Sequence, residues 1–155
     1  MFYRFALALA LTTAGCTAAP PDIPKQTRGQ TQTGLKVIPL TIDHDGRRSA
    51  FRVELAATPD QQARGLMFRP ALADDAGMIF PMDPPRPASF WMRNTMIPLD
   101  IIFIGPDRRI TNIAENTTPF SDASIHSQGS VSAVLELRAG KAAALGLAPG
   151  HRVNW

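Results

Sequence analysis

The sequence has little cysteine and no long apolar run. Its only cysteine is Cys16, so no disulfide can form within the chain and no Cys-x-x-Cys metal motif exists. The apolar stretch at residues 5–11 is far shorter than the about 20 residues that a transmembrane helix needs. The three histidines, His44, His126 and His151, are widely separated in sequence. We therefore predict no metal site and no cofactor.

Basic charge is not concentrated in one stretch either. The formal net charge is +3 at pH 7, and the adjacent basic residues are Arg47-Arg48 and Arg108-Arg109. A nucleic-acid-binding surface is typically marked by a cluster of basic residues, so nucleic acid is not expected as a partner. Each arginine pair lies beside a turn, and we interpret both pairs as solvated turn residues. A mild attraction to anionic lipid headgroups is the alternative.

The beginning of the sequence has the pattern of an export signal. A basic residue, Arg4, precedes the apolar stretch, and small residues lead up to Cys16. Residues 13–16, Thr-Ala-Gly-Cys, resemble the box of bacterial lipoproteins, in which the cysteine carries the lipid. We therefore expect residues 1–15 to be a lipoprotein-type signal peptide and Cys16 to be the site of lipid attachment.

The segment after the signal is predicted to be a tether. Residues 16–34 are rich in Pro, Gln, Thr and Gly and offer almost nothing apolar to bury, which is typical of a flexible linker. The protein is then exported and membrane-anchored, and it faces the periplasm or the cell exterior, with the membrane as its partner through the lipid. The alternative is cleavage by an ordinary signal peptidase after Ala19, which would give a secreted protein.

Residues 35–155 have the length of one domain. Two runs rich in β-branched and apolar residues flank the turn formers at residues 43–46, which predicts a β-hairpin. Residues 81–87 are predicted to be a Pro-rich connection between strands, and residues 115–130 a long polar loop. With seven or eight strand candidates, the pattern favours an α+β fold of mainly antiparallel sheet that could curl into a barrel.

Two short helices are predicted between the strands. Thr58 and Gln61 have the spacing of a capping box, and Pro59 fits the first helical position. This helix is expected to end at Pro70, because proline cannot continue a helix. The Ala-rich residues 139–145 predict the second helix, which a following glycine would end.

Several motifs stand in one order at residues 64–69, 77–80, 90–95, 97–101, 134–137 and 139–140. Together they resemble the family called domain of unknown function 192. The resemblance implies a compact, often exported domain of mixed sheet and helix, and it implies no activity, because the family is uncharacterised. One position departs from the family pattern, since His151 stands where an acidic residue is usual.

An apolar, aromatic-rich segment in the middle of the domain carries the candidate site. Asp100 is flanked there by apolar residues and needs a hydrogen-bond donor if it is buried. Arg64 is the expected partner, because guanidinium matches carboxylate in a two-pronged geometry. Two interpretations stay open at this point. The pair could be structural, or Arg64, Trp91, Asn94 and Asp100 could line a cleft for a polar ligand.

No catalytic constellation is evident in the sequence. His126 and Ser127 are adjacent, but no Gly-x-Ser-x-Gly elbow accompanies them. The biochemical function is not identified, and the leading interpretation is a non-enzymatic domain of the bacterial cell envelope that binds a small polar ligand or an envelope protein. The alternative is a hydrolase acting on an envelope sugar or peptide through Asp100, Arg64 and Asn94.

Overall fold

The computed structural model describes residues 34–155, so the predicted signal peptide, Cys16 and nearly all of the tether lie outside the described residues. Within that range no helix is long and apolar enough to span a membrane. The elements in chain order are β1 (Val37–His44), β2 (Arg47–Leu55), α1 (Pro59–Arg64), β3 (Ala76–Phe90), β4 (Leu99–Ile104), β5 (Ile110–Ala114), β6 (Ile125–Arg138), α2 (Lys141–Leu145) and β7 (Arg152–Asn154).

All of these strands belong to one sheet with the order β5-β4-β6-β3-β2-β1-β7. β1 and β2 form the predicted hairpin, and every neighbouring pair is antiparallel except β2 and β3. Those two strands run parallel because a crossover containing α1 joins them. The predicted α+β fold of mainly antiparallel sheet is confirmed in outline: the sheet is mixed, with one parallel pair, and it curves into a half-barrel.

The two edges of the sheet approach each other at one end of the half-barrel. Arg109 and Arg152 form an isolated antiparallel bridge there. The backbone N–H of Ile110 donates to the carbonyl oxygen of His151 at 2.9 Å, and Val153 donates to Arg108 at 2.8 Å. This contact joins the turn before β5 to β7 and draws residues from distant parts of the sequence to one place.

The helix predicted after Thr58 forms with its capping box. The Thr58 hydroxyl accepts a hydrogen bond from the backbone N–H of Gln61, and the Gln61 side chain accepts one from the N–H of Thr58. The helix ends at Arg64, so the expected end at Pro70 is wrong. Gly65 stops it, because its φ of 47° and ψ of −136° lie outside the helical region.

The Pro-rich residues 81–87 are part of β3 and are not a separate connection. β2 pairs with β3 only at residues 76–79, so the rest of β3 has β6 as its one partner among the described strands. Proline has no N–H to donate and is tolerated where one side of a strand is unpaired or bulged. The register accordingly shifts between Pro81 and Arg86, and the other side of β3 stays open.

Two further predictions near the end of the domain can be compared with the structure. The polar loop expected at residues 115–130 is shorter, because β6 begins at Ile125. The second helix forms as predicted, and Gly146 ends it in the left-handed conformation with φ 67°.

The buried apolar side chains form two clusters, one on each face of the sheet. Ile102 belongs to the cluster that includes Val53 and Leu135. Its neighbour Ile101 belongs to the cluster that includes Phe80, since successive side chains of a strand point to opposite faces. All six residues of β4 are buried, and β4 is therefore covered on both faces.

Asp100 is fully buried within β4 and is held by backbone amides. Its Oδ1 accepts hydrogen bonds from the N–H of Asn116 at 2.9 Å and of Gly140 at 3.2 Å, and its Oδ2 accepts one from Ala142 at 2.8 Å. Hydrogen bonds to an ionised carboxylate are stronger than those between neutral groups. The carboxylate thus ties β4 to the loop after β5 and to the first turn of α2.

The predicted pair between Arg64 and Asp100 is wrong. Arg64 is exposed at the end of α1, while all three donors to the Asp100 carboxylate are backbone N–H groups. The sequence argument correctly required a donor for a buried acid but considered only side chains.

Replacing Asp100 by Asn should lower the free energy of unfolding by about 2–4 kcal/mol, because an amide group would turn an N–H toward a backbone N–H and lose charge-assisted bonds. Urea denaturation of the full-length chain measures this, with Asp75→Asn at an exposed position as the control. A loss no larger than that of the control would contradict the structural role.

Candidate functional site

A cleft of about 330 Å³ opens between α1 with its following turn and the open side of β3. Residues 62–67 form one wall and residues 86–91 the other. Gly65 faces the Phe80 ring, and a Cβ at this position would be in ordinary van der Waals contact with it at 3.5 Å. The volume is at the lower end of the range typical of small-molecule sites. The apolar lining includes Leu66, Met67, Phe80, Met82, Ala88 and Phe90.

Glu136 contributes a buried acid to this cleft. It lies on β6 between Met78 of β3 and Ile101 of β4, and its side-chain Oε2 has no hydrogen-bond partner within residues 34–155. Burial raises the pKa of Glu136 to about 8, against the opposing effect of the nearby Arg69 charge. At neutral pH the group is therefore mainly a neutral carboxylic acid, which can both donate and accept a hydrogen bond.

A second buried acid, Glu54, lies in the same row of the sheet. Glu54 on β2 and Glu136 on β6 both pair with Met78, which lies on β3 between them. The two acids are therefore on the same face of the sheet. The Glu54 carboxylate forms a two-pronged ion pair with the Arg69 guanidinium, and the two side chains are 7% and 17% exposed. Glu54 is thus paired with an arginine, whereas Oε2 of Glu136 has no partner among residues 34–155.

The rim of the cleft is aromatic and basic. Trp91 lines it and is 46% exposed, and the exposed residues Arg64 and Arg86 line it as well. The Arg93 guanidinium lies 4.1 Å from the centre of the Trp91 ring and pairs with Asp122 at 2.7 Å. This stacking and ion pair hold Trp91 at the mouth of the cleft.

Three loops meet beside the rim through residues of left-handed conformation. Phe68, Asn94 and Phe120 have φ values of 64°, 56° and 59°, which for phenylalanine is unfavourable and requires support from the surroundings. Two backbone hydrogen bonds provide this support. The N–H of Phe68 donates to the carbonyl oxygen of Asn94 at 2.8 Å, and the N–H of Phe120 donates to that of Thr95 at 3.1 Å. Phe68 and Phe120 remain 59% and 63% exposed.

The candidate residues from the sequence fall into two groups. Arg64 and Trp91 both line the cleft, and Asn94 lies at its edge with its side-chain Nδ2 3.9 Å from the sulfur of Met67. Asp100 is buried and does not line the cleft. Within residues 34–155 no cluster of His, Cys, Asp or Glu could hold a metal ion.

Sequence reasoning missed Glu136 and Glu54. Each is flanked by two apolar residues, as Asp100 is, and that signal could have found them. In a half-exposed strand, however, a charged residue between apolar ones normally faces solvent. Only the covering of this face by α1 and its following turn makes the two acids buried.

The domain is thus a mixed half-barrel sheet with a cleft between α1 and β3 and two buried acids on one face. The sequence pattern of the DUF192 family, described as Uncharacterized ACR, matches residues 40–155. The chain belongs to this family, and the predicted resemblance is confirmed.

Solved structures agree with this assignment. A protein of unknown function from Novosphingobium aromaticivorans is 48% identical over 90% of this chain and 94% of its own, with a TM-score of 0.79. A candidate transcription regulator from Sinorhizobium meliloti is 41% identical over 77% of this chain and 94% of its own, with a TM-score of 0.75. None of the curated proteins compared with this chain matches it.

The raised pKa of Glu136 predicts a pH-dependent stability. The unfolded chain releases this proton near pH 4.5 and the folded chain near pH 8, so between these values folding is weakened as pH rises, by up to about 1.4 kcal/mol per pH unit. Glu136→Gln should remove this contribution. We expect wild type to lose more free energy of unfolding than the variant between about pH 5 and pH 8, measured by urea denaturation.

The exposed Glu115 provides the control, because Glu115→Gln should keep the wild-type dependence on pH. Parallel pH profiles for wild type and Glu136→Gln would show that Glu136 titrates normally and would refute its burial as a neutral acid.

Proposed function

We propose that this protein is a ligand-binding module of the bacterial cell envelope and that the cleft between α1 and β3 is its binding site. The ligand has an apolar body and an anionic group. The observation that carries this proposal is Oε2 of Glu136, which has no partner among residues 34–155 and belongs to the lining of an open cleft with an apolar wall. A buried polar atom without a partner is unfavourable in the free protein, and a bound polar group would satisfy it.

The lining of the cleft supports this ligand chemistry. The apolar wall, with Leu66 and Phe90, suits an apolar body, and Trp91 offers an exposed ring at the mouth. Arg64 and Arg86 place two positive charges on the rim, where guanidinium groups favour carboxylates, sulfonates or phosphates. An uncharged polar group of the ligand would reach Glu136, because a neutral acid accepts or donates without a second charge.

A hydrolase is the second candidate, and the observation that favours it is the pKa of Glu136 at about 8, which suits a proton donor at neutral pH. Glycoside hydrolysis, however, normally needs two carboxyl groups facing the bond. Glu136 is the one carboxylic acid among the described residues that line the cleft. Asp100, which the sequence favoured as the acid, is held by three amides away from it. Binding is therefore the better-supported function.

The relative described as a candidate transcription regulator does not change this proposal. α1 and α2 have six and five residues, and a recognition helix that reads the major groove needs several turns of exposed surface.

The cleft can be tested with 1-anilinonaphthalene-8-sulfonate, which combines apolar rings with one anionic group. Titration of the full-length chain should raise the fluorescence of the probe with saturation. Ala63→Trp places a large side chain in the cleft from the exposed face of α1 and should weaken binding at least about tenfold, or about 1.4 kcal/mol.

Ala71→Trp, at an exposed position outside the cleft, controls for the added tryptophan and should bind the probe as wild type does. Arg64→Gln should weaken binding less than Ala63→Trp, because one charge-assisted contact on an exposed rim contributes little. Equal binding by the two tryptophan variants would place the probe elsewhere and refute the cleft as the site.

The envelope part of the proposal rests on Cys16 and the signal pattern before it. Cells of a bacterial host that express the full-length chain should incorporate labelled palmitate into it, and Cys16→Ser should abolish the label and release the protein from the membrane fraction. Replacing Thr17 by Ser is a matched control that keeps the cysteine. Unlabelled wild-type protein, cleaved after Ala19, would favour secretion without an anchor.

A further inference from the structure

A second concave site lies at the other end of β2 from the cleft. β2 begins at this site with Arg47 and Arg48 and ends next to α1, which forms the cleft wall. We call the second site the arginine pocket, and its volume is about 530 Å³. It is lined by Asp43, His44, Asp45, Gly46, Arg47, Arg48, Arg109, Gly150, His151 and Arg152. The two sites share no lining residue.

The closure of the half-barrel creates this pocket. The turn between β1 and β2 contributes one side, with Asp45 and Gly46 at positive φ. The bridge between Arg109 and Arg152 brings the turn before β5 and the start of β7 to the other side. The arginines at positions 47, 48 and 109 are exposed beside turns, as the sequence indicated, and they also line one pocket.

The pocket carries excess positive charge. Four arginines and two aspartates line it, which leaves two positive charges before the histidines are counted. Asp43 pairs with Arg48, whose hydrogen bond is the main cause that lowers the pKa of Asp43, and Asp45 lies near Arg47 at 3.9 Å. Among residues 34–155, neither Arg109 nor Arg152 forms an ion pair with a carboxylate.

The guanidinium groups of these two residues are only partly used. One nitrogen of Arg109 donates to the carbonyl oxygen of Gly150 at 2.7 Å, and Nε of Arg152 lies 3.3 Å from the side-chain oxygen of Asn154. A guanidinium has five N–H donors. Each side chain therefore keeps donors for an anion and is held in place by its existing bond.

His44 provides an independent sign of a missing partner. It lines the pocket, is 3% exposed, and its Nε2 lies 2.8 Å from the hydroxyl of Ser49. Its Nδ1 is buried and has no partner in the described part of the chain. Its ring centre is 6.0 Å from that of His151, whose Nδ1 accepts from the N–H of Ala148 and whose Nε2 is 3.5 Å from Asp45.

We propose that the arginine pocket binds a phosphate-bearing anion, with Arg109 and Arg152 as its charged donors and His44 as a buried polar contact. Phosphate oxygens match guanidinium groups in two-pronged geometry, and a cation would be repelled by four arginines. A carboxylate carries one charge and two oxygens, whereas a phosphate group carries about 1.5 to 2 charges and presents three acceptor oxygens. This site is separate from the cleft of the proposed function and does not depend on it.

The test is calorimetric titration of the full-length chain with pyrophosphate at constant ionic strength. The double variant Arg109→Gln with Arg152→Gln removes the two unpaired charges and should weaken binding at least about tenfold. The double variant Lys36→Gln with Arg52→Gln removes two exposed charges outside the pocket and should bind within about twofold of wild type.

A soluble phosphate compound and a lipid headgroup would both bind through a phosphate group. A second experiment distinguishes between them. Sedimentation with phosphatidylglycerol vesicles, relative to phosphatidylcholine vesicles, measures the headgroup contribution. Loss of that difference in the Arg109 and Arg152 variant would assign the site to lipid phosphate. An unchanged difference, together with loss of pyrophosphate binding, would assign it to a soluble phosphate.

Two results would overturn the proposal. One is equal weakening of pyrophosphate binding in both double variants, which would mean general charge attraction. The other is the absence of binding to pyrophosphate and to the anionic vesicles alike. If the double variant does not fold, as judged by its thermal unfolding, Arg152→Gln alone gives the same comparison, because Arg152 is exposed.

Discussion

The buried carboxylate of Asp100 is the contact on which the arrangement around the cleft depends. It fixes Asn116 at the start of the loop after β5, and the next residue of that loop, Thr117, donates its N–H to the carbonyl of Leu99 at 2.9 Å. The loop then reaches Phe120, which bonds to Thr95 beside the cleft. Through these contacts, one buried acid helps to position the loop beside the rim of the cleft. All three hydrogen-bond donors to its carboxylate are backbone N–H groups.

Local signals in the sequence were sufficient for part of the fold. The Thr58 capping box, the turn at residues 43–46 and the Gly146 C-cap each involve residues a few positions apart, and all three are present. The continuation of β3 through residues 81–87 could not be predicted in this way. It depends on which side of the strand lacks a neighbour, and that is decided by the parallel pairing with β2, a contact between distant residues.

The contrast between local signals and contacts between distant residues also applies to the residues of the cleft. Arg64 and Trp91 were selected from the sequence for their guanidinium and indole groups, and both line the cleft, although the pairing with Asp100 that singled out Arg64 is wrong. Glu136 has apolar flanks like those of Asp100, but its burial results from the turn after α1 folding over the face of the sheet, which residue type alone does not indicate. Asp100 was recognised as buried, but its partners are amides that every residue carries. Residue type alone therefore could not identify them.

The pairing of β1 with β7 has a consequence for how the domain is made. Thr41, Ile42 and Asp43 pair with residues of β7, the strand that is synthesised last among those described. Until β7 arrives, that side of β1 is an open edge that can pair with other chains. Contacts between such distant residues form slowly, so the sheet is completed only after β7 has emerged. The domain therefore keeps an unpaired edge at β1 until β7 has been synthesised.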